Sequence, residues 1–521
     1  MMSAWDPLKR PLFRALWIAT VVSSIGTWMH EVGAGWLMVT LDPRPIMVSL
    51  VQAATALPIF FLALPAGALA DILDRRRYLM ATQMWMLAAA ALLGLLTLAG
   101  LANAWMLIGF TFMLGIGAAM MMPAWAATLP ELVPREELQP AIALNSIGIN
   151  LSRVIGPAIA GVIVAAAGPG ATFVLNALSF LGIIVVLARW QRAPRPSTLP
   201  AERFFGAMRA GLRYVRQARE LQAVMLRALA FFVFATALWA LLPLTAQRIG
   251  GGAAAYGTLL ACLGAGAVAG ALALPPLRAR CSRDQLVRGG TAIFAAVMIT
   301  SALLDRLWSL GAALLAGGAA WMATLSSFHM AAQTAVPAWV RGRALAIYLV
   351  SFAAGTAGGA VLWGAVAGRV GVPAALIAAA VGALLAAAAT WRASLDAGES
   401  GGLERLAWPD PETYGSIDPE RGPVLITVEY RIDPRGARDF TAAMSALERV
   451  RRRDGATSWG LFSDAAEPGR YVEFFLVDSW AEHLRQHHRI TQADEEIQSR
   501  ARAFHVGAEP PRVSHLIAET R

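Results

Sequence analysis

Apolar residues run in long blocks along this chain, and polar positions gather at the joints between them. Twelve blocks are long enough to cross a hydrocarbon layer of about 30 Å as helices rising about 1.5 Å per residue. The first six fall at about 15–40, 46–70, 78–100, 104–128, 141–167 and 171–190. The second six fall at about 224–247, 254–276, 288–304, 308–332, 343–367 and 371–391. Gly and Pro recur inside them, which membrane helices tolerate and use for close approach. Between the two sets, residues 191–223 are polar, with prolines early and arginines later. Phe205, Met208, Leu212 and Val215 recur there at helical spacing, which fits either an interfacial helix or a solvated linker helix.

After Arg392 the pattern changes. Residues 393–422 read as a linker rich in Gly, Pro and acidic side chains. Val424–Tyr430 alternates as a strand does, and Phe440–Arg452 reads as a helix ending before Asp454 and Gly455. Thr457–Phe462 and Tyr471–Val477 read as strands around a turn at Pro468 and Gly469, Ala481–Phe504 as one charged helix, and Val513–Ile517 as a last strand. The order β-α-β-β-α-β is that of a ferredoxin-like domain. The expected fold class is therefore an all-α membrane protein of twelve transmembrane helices, plus a soluble α+β ferredoxin-like C-terminal domain. The expected boundaries are 1–190, 191–223, 224–392, 393–422 and 423–521.

The twelve helices divide into two pseudo-repeats of six. Gly67, Ala68, Leu69 and Ala70, followed by Arg75–Arg77, return 203 residues later as Gly270, Ala271, Leu272 and Ala273, followed by Arg278 and Arg280. Pro134, Ala141, Ala143, Gly156 and Gly161 return at the same offset as Pro337, Ala344, Ala346, Gly359 and Gly364. Duplicated halves in an apolar chain are a transporter signature.

Composition supports this reading. The 521 residues are 57% hydrophobic and 15% charged, where a soluble chain carries about 25% charge. The net charge of +10 does not form a nucleic-acid-binding face, because the arginines punctuate the apolar blocks. Arginines crowd alternate joints: Arg10 and Arg14, Arg75–Arg77, Arg135, the 191–223 connector, Arg278–Arg283, and Arg341 with Arg343. The opposite joints hold little beyond Arg44, Arg248, Arg306 and Arg369. The positive-inside rule then places both termini in the cytoplasm. The two cysteines, Cys262 and Cys281, suggest neither a disulfide nor a metal site, and no cleavable leader is evident.

Three groups of residues carry candidate chemistry. Gly67, Asp71, Arg75, Arg76 and Arg77 resemble the major facilitator superfamily signature between its second and third helices. Ile72 stands where the family has a basic residue, and Asp74 where it often has Gly. The resemblance implies a conformational latch, with Gly67 permitting close helix approach. The alternative is that the arginines only fix topology. Gly156, Pro157 and Gly161 partly match the fifth-helix motif of drug/proton antiporters, with Ser152 and Ala160 replacing two of its glycines. The match favours export, and helix packing alone is the competing explanation. More broadly, residues 12–392 resemble the branch that includes the enterobactin exporter and transmembrane secretion effectors, through phrases such as Trp28–Trp36, Leu64–Asp71, Pro130–Arg135 and Pro337–Arg343.

A charge at bilayer depth costs about 2.5–3.5 kcal/mol, so Glu31 in the first span and Arg153 in the fifth call for a reason. A carboxylate in an apolar cavity suits proton coupling, with Arg153 tuning it; a static ion pair or a wet outer position are the alternatives. Gln52, Gln83, Asn145, Asn150, His329 and Gln333 are further polar candidates, each serving the cavity or tying helices together. Trp28, Trp36 and Trp239 are expected at the cavity or at the membrane interfaces. In the tail, His483 and His487 share an i, i+4 face with His488 beside them, but no third ligand is evident and a solvated face is the expectation. The tail resembles dimeric ferredoxin-like proteins such as antibiotic-biosynthesis monooxygenases. That fold carries many functions and no catalytic constellation emerges, so oligomerisation as a homodimer or regulation is expected in preference to chemistry.

The sequence thus reads as an exporter of a small amphipathic molecule, siderophore- or drug-like, in a bacterial inner membrane. It would work by alternating access and proton antiport. Its partners would be the bilayer, a small-molecule substrate and protons, with no nucleic acid, no catalytic residues, no metal and no cofactor. The absence of a Gly-x-x-x-x-Gly-Lys loop speaks against ATP drive. An importer of the same fold, and a transporter fused to a monooxygenase-like domain, are the alternative readings.

Overall fold

The computed structural model describes residues 5–190, 214–337, 341–396, 417–487 and 489–519. Twelve helices among them are long and apolar enough to cross a membrane. The first six are α1 (Pro11–Leu41), α2 (Pro45–Ile72), α3 (Arg75–Leu98), α4 (Ala104–Leu132), α5 (Leu138–Ala167) and α6 (Pro169–Arg189). The second six are α7 (Arg219–Arg248), α8 (Gly252–Arg278), α9 (Arg283–Leu303), α10 (Leu307–Thr334), α11 (Arg341–Val370) and α12 (Val372–Ala389).

The ends of these helices follow local chemistry. Asp74 caps α3 by accepting from the Arg77 N–H at 2.9 Å, and Asn103 caps α4 by accepting from Met106 at 2.9 Å. Ser282 and Gln285 form a capping box at α9. Gly168 and Gly371 end α5 and α11 with φ of +77° and +84°, a region closed to most L side chains, and each precedes a helix with Pro in its first two positions. These two glycines lie 203 residues apart, the offset of the repeated phrases.

Close packing repeats at the same offset. A Cβ on Gly156 would lie 2.5 Å from Trp28 Cβ on α1, and one on Gly359 would strike the Val233 carbonyl on α7. A Cβ on Gly161 would lie 3.1 Å from Gly257 Cα on α8, and one on Gly364 3.1 Å from Ile46 Cα on α2. So α5 touches the first helix of its own six and the second of the other, and α11 does the reciprocal. This is how a duplicated unit packs around a pseudo-twofold axis. Each interface is dense because small residues let backbones meet.

The first half of the 67/270 repeat behaves differently from expectation. A Cβ on Gly270 would lie 2.7 Å from Ala319 Cα, whereas one on Gly67 meets nothing within 4 Å. Among the described residues, therefore, no neighbouring backbone abuts Gly67 in this conformation.

The C-terminal region carries a four-stranded antiparallel sheet of β1 (Val424–Arg431), β2 (Ser458–Ser463), β3 (Arg470–Val477) and β4 (Arg512–Ile517), in the order β2-β3-β1-β4. Alternate residues of β1 (Val424, Ile426, Val428 and Tyr430) are buried. α13 (Ala437–Asp454) buries Phe440, Met444, Leu447 and Val450, and packs with Val428 and Tyr430 in one apolar cluster. The charged segment expected as one helix is two: α14 (Trp480–His487) and α15 (Gln492–Arg502). Thr491 and Asp494 form a capping box that starts a new helix, a Thr-x-x-Asp signal present in the sequence. Most of the 191–223 connector, including Phe205, Met208 and Leu212, lies outside the described residues, as does most of the 393–422 linker.

Candidate functional site

Helices α1, α2 and α4 of the first half and α7 and α8 of the second enclose a small cavity of about 40 Å³. It is lined by His30, Glu31, Gln52, Thr111, Trp239 and Tyr256 among apolar neighbours. Its position follows from the sequence. Gly35 on α1 has no Cβ, and one added there would lie 2.8 Å from the Tyr256 hydroxyl, so α8 can bring its tyrosine against α1. The His30 ring packs on Phe173, with centroids 4.7 Å apart.

Several polar atoms at this cavity make no hydrogen bond. Both ring nitrogens of His30, Thr111 Oγ1 and Trp239 Nε1 are buried without partners. Buried polar groups are ordinarily satisfied, so a cluster of orphans around one void marks a place that water or a polar ligand group should fill. Glu31 adds a carboxylate to the same void.

Arg153 stands just beyond the lining, on α5. Its guanidinium lies 5.4 Å over the Trp28 ring, and its Nε is buried without a partner. Glu31 and Arg153 act on each other electrostatically. A Cβ on Gly264 of α8 would lie 2.5 Å from the Arg153 carbonyl oxygen, so the second half presses on α5 at the level of this charge.

Other candidates fall elsewhere. Asn150 donates to Ser146 on its own helix at 2.9 Å and is not among the cavity-lining residues. His329 packs against Tyr348 at 5.9 Å, and neither it nor Gln333 is among the lining residues. Gln83 donates to Met121 Sδ at 2.8 Å, which ties α3 to α4. Thr111, Tyr256 and His30 were passed over in the sequence because one polar atom in an apolar helix looks like any other until the helices are assembled.

At the start of α3, Arg75 pairs with Glu131 of α4 at 2.6 Å and donates to the Ala127 carbonyl at 3.1 Å. Arg76 donates to the Leu187 and Ala188 carbonyls at 2.7 and 2.6 Å, closing the exposed C-terminus of α6. Arg77 contributes its capped backbone N–H. The Asp71 side chain lies outside the described residues. The second half uses the same position differently. Asp284, in the first turn of α9, pairs with buried Arg227 of α7 and accepts from Ser394 at 3.0 Å, while Arg227 donates to the Ala393 carbonyl at 2.9 Å.

The C-terminal region holds a second cavity, of about 400 Å³, lined in part by Tyr430, Arg451, His483, His487 and His515. His483 is only 2% exposed, which corrects the expectation of a solvated histidine face. Burial, and then the neighbouring imidazoles of His487 and His515, push its pKa down to about 3. Glu473 is fully buried nearby and accepts from Arg451 and Trp459 at 3.1 Å each and from the Tyr430 hydroxyl at 3.2 Å.

Comparison with known proteins agrees with this architecture. The family model described as transmembrane secretion effector matches residues 2–521. The chain is 32% identical over 165 residues to a staphyloferrin A transporter of Staphylococcus aureus, covering 31% of this chain and 42% of that one. It is 26% identical over 359 residues to the enterobactin exporter EntS of Escherichia coli, covering 68% and 85%. The chain spans about half the length of several curated relatives it matches. In fold it resembles a bacterial homolog of the human lysosomal transporter Spinster, crystallised inward-facing and unoccupied, with TM-score 0.59, 16% identity, and 73% and 96% coverage. Twelve membrane helices in two related halves and a family match along the whole chain lead to one conclusion: this protein belongs to the transmembrane secretion effector family of major facilitator superfamily transporters.

Proposed function

We propose that this transporter exports a small amphipathic molecule, siderophore- or drug-like, from the cytoplasm in exchange for protons. The observation that carries the reading is the cavity shared by α1, α2, α4, α7 and α8, where Glu31 meets unpartnered His30, Thr111 and Trp239. Such a void lies where two rocking halves would meet, and its polar atoms would bind in one state what they release in another. Glu31 would carry the exchanged proton. Arg153 would favour its charged form when the two are close, so that substrate or a helix shift alters proton affinity.

The siderophore and drug classes rest on the names of the relatives and on a void whose lining mixes polar and apolar side chains, as an amphipathic molecule requires. Arginine-rich joints support cytoplasmic termini in a bacterial cytoplasmic membrane. Arg75 and Arg76, tied to α4 and α6, would act with Asp71 as the latch that holds one conformation. The strand order β2-β3-β1-β4 supports a ferredoxin-like reading of the tail, which would form a cytosolic regulatory or dimerising domain.

The test is a comparison of small-molecule content in a deletion strain and its complemented parent, by mass spectrometry of cells and medium. A compound that accumulates inside the deletion strain and returns to the medium on complementation is expected. Identical content of cells and medium in the two strains refutes export.

A further inference from the structure

The sequence offered His483 and His487 one helical turn apart on α14 and no third ligand. The fold supplies it. β4 pairs with β1 and brings His515 against the same helix, 28 residues further along the chain. The ring centroids of His483 lie 4.8 Å from His487 and 4.7 Å from His515. One ring nitrogen from each of the three falls within 4.8 Å of the others. Tetrahedral zinc with Zn–N bonds of about 2.0–2.1 Å needs nitrogens about 3.3 Å apart, so small rotations of the rings would close the set.

A second, independent observation points to a ligand. His483 is 2% exposed, and neither of its ring nitrogens makes a hydrogen bond. A buried imidazole with both nitrogens unsatisfied is costly and needs an explanation, which a metal ion supplies by taking one lone pair. The charged groups facing the cavity do not oppose a cation strongly. Arg451 is engaged by Glu473, Arg502 lies 3.9 Å from Glu495, and Asp454 and Asp494 share Arg453 at 2.8 and 2.7 Å.

We propose that His483, His487 and His515 form a binding site for a divalent first-row transition metal, with the remaining coordination position open to the cavity of about 400 Å³. Three imidazoles suit zinc, and also cobalt, nickel, copper or iron, and a three-histidine set leaves room for water or a small donor ligand. The site is built from residues of the tail alone and does not depend on the transport reading.

The experiment uses the untagged full-length protein in detergent, loaded with Zn²⁺ or Co²⁺, desalted, and measured by elemental mass spectrometry and visible absorption. About one equivalent per chain and cobalt ligand-field bands are expected. H515Q and H487Q should lose at least tenfold in affinity, while H505Q and H329Q keep it. Because H483Q alters a buried position and can fail to fold, the cobalt spectrum of the unaltered protein provides the variant-free check. A wild-type protein that retains no metal and gives no cobalt bands overturns the proposal, as does binding that H515Q and H487Q leave unchanged.

Discussion

Substituting Gly257 by Ala tests whether the two halves truly meet backbone to backbone. The new Cβ would lie 2.6 Å from both Gly161 Cα and the Pro157 carbonyl oxygen, atoms that cannot swing aside. Ordinary carbon contacts begin at about 3.5 Å, so α5 and α8 would have to part by about 0.9 Å. Overpacking of this kind costs about 1–3 kcal/mol. Alanine recovers up to about 1 kcal/mol of helix propensity, which leaves a net loss at most of the range. Gly67→Ala supplies the control, since its Cβ meets nothing within 4 Å and only the propensity gain remains. Thermal unfolding followed by size-exclusion fluorescence should place G257A below the parent and G67A at or above it. If G257A melts with or above G67A, the packing argument fails. Should G67A unfold normally yet transport poorly, Gly67 is approached closely in the opposite conformation, as a latch requires.

The remaining predictions address other contacts. Asp284→Ala strands the buried Arg227 guanidinium, so a loss of about 3–5 kcal/mol is expected, read as a lowered melting temperature in detergent. Glu473→Ala leaves Arg451 and Trp459 unpaired in the tail, and a loss of similar size should appear as faster hydrogen exchange confined to residues 424–517. Thr491→Ala removes the capping box of α15 and should cost about 1 kcal/mol, measured by exchange of the first-turn amides of that helix.

Periodicity and length made the twelve helices legible, because a bilayer allows few other ways to satisfy a buried backbone. The repeats at one offset predicted two related halves, and Gly168 with Gly371 shows why: the same left-handed turn is needed twice. The site was legible in part, and Trp239, expected at the cavity or an interface, does line it. Glu31 stood out because a charge in a span is expensive, and Gln52 through its amide. Thr111 and Tyr256 did not, because their roles arise from which helices become neighbours. Asn150 looked equally polar, but its amide is satisfied on its own helix. The histidine cluster escaped for the same reason, since His515 joins His483 only through the pairing of β4 with β1. The break between α14 and α15 was written in Thr491 and Asp494 and was overridden by the helical look of the flanking residues.

Proton exchange at Glu31 is tested most directly in everted membrane vesicles. Vesicles acidified inside should accumulate the substrate, or a fluorescent dye standing in for it, and lose part of their pH gradient as they do so. Glu31→Gln should bind the compound but neither accumulate it nor dissipate the gradient. Undiminished proton-driven accumulation by the E31Q protein would contradict the account.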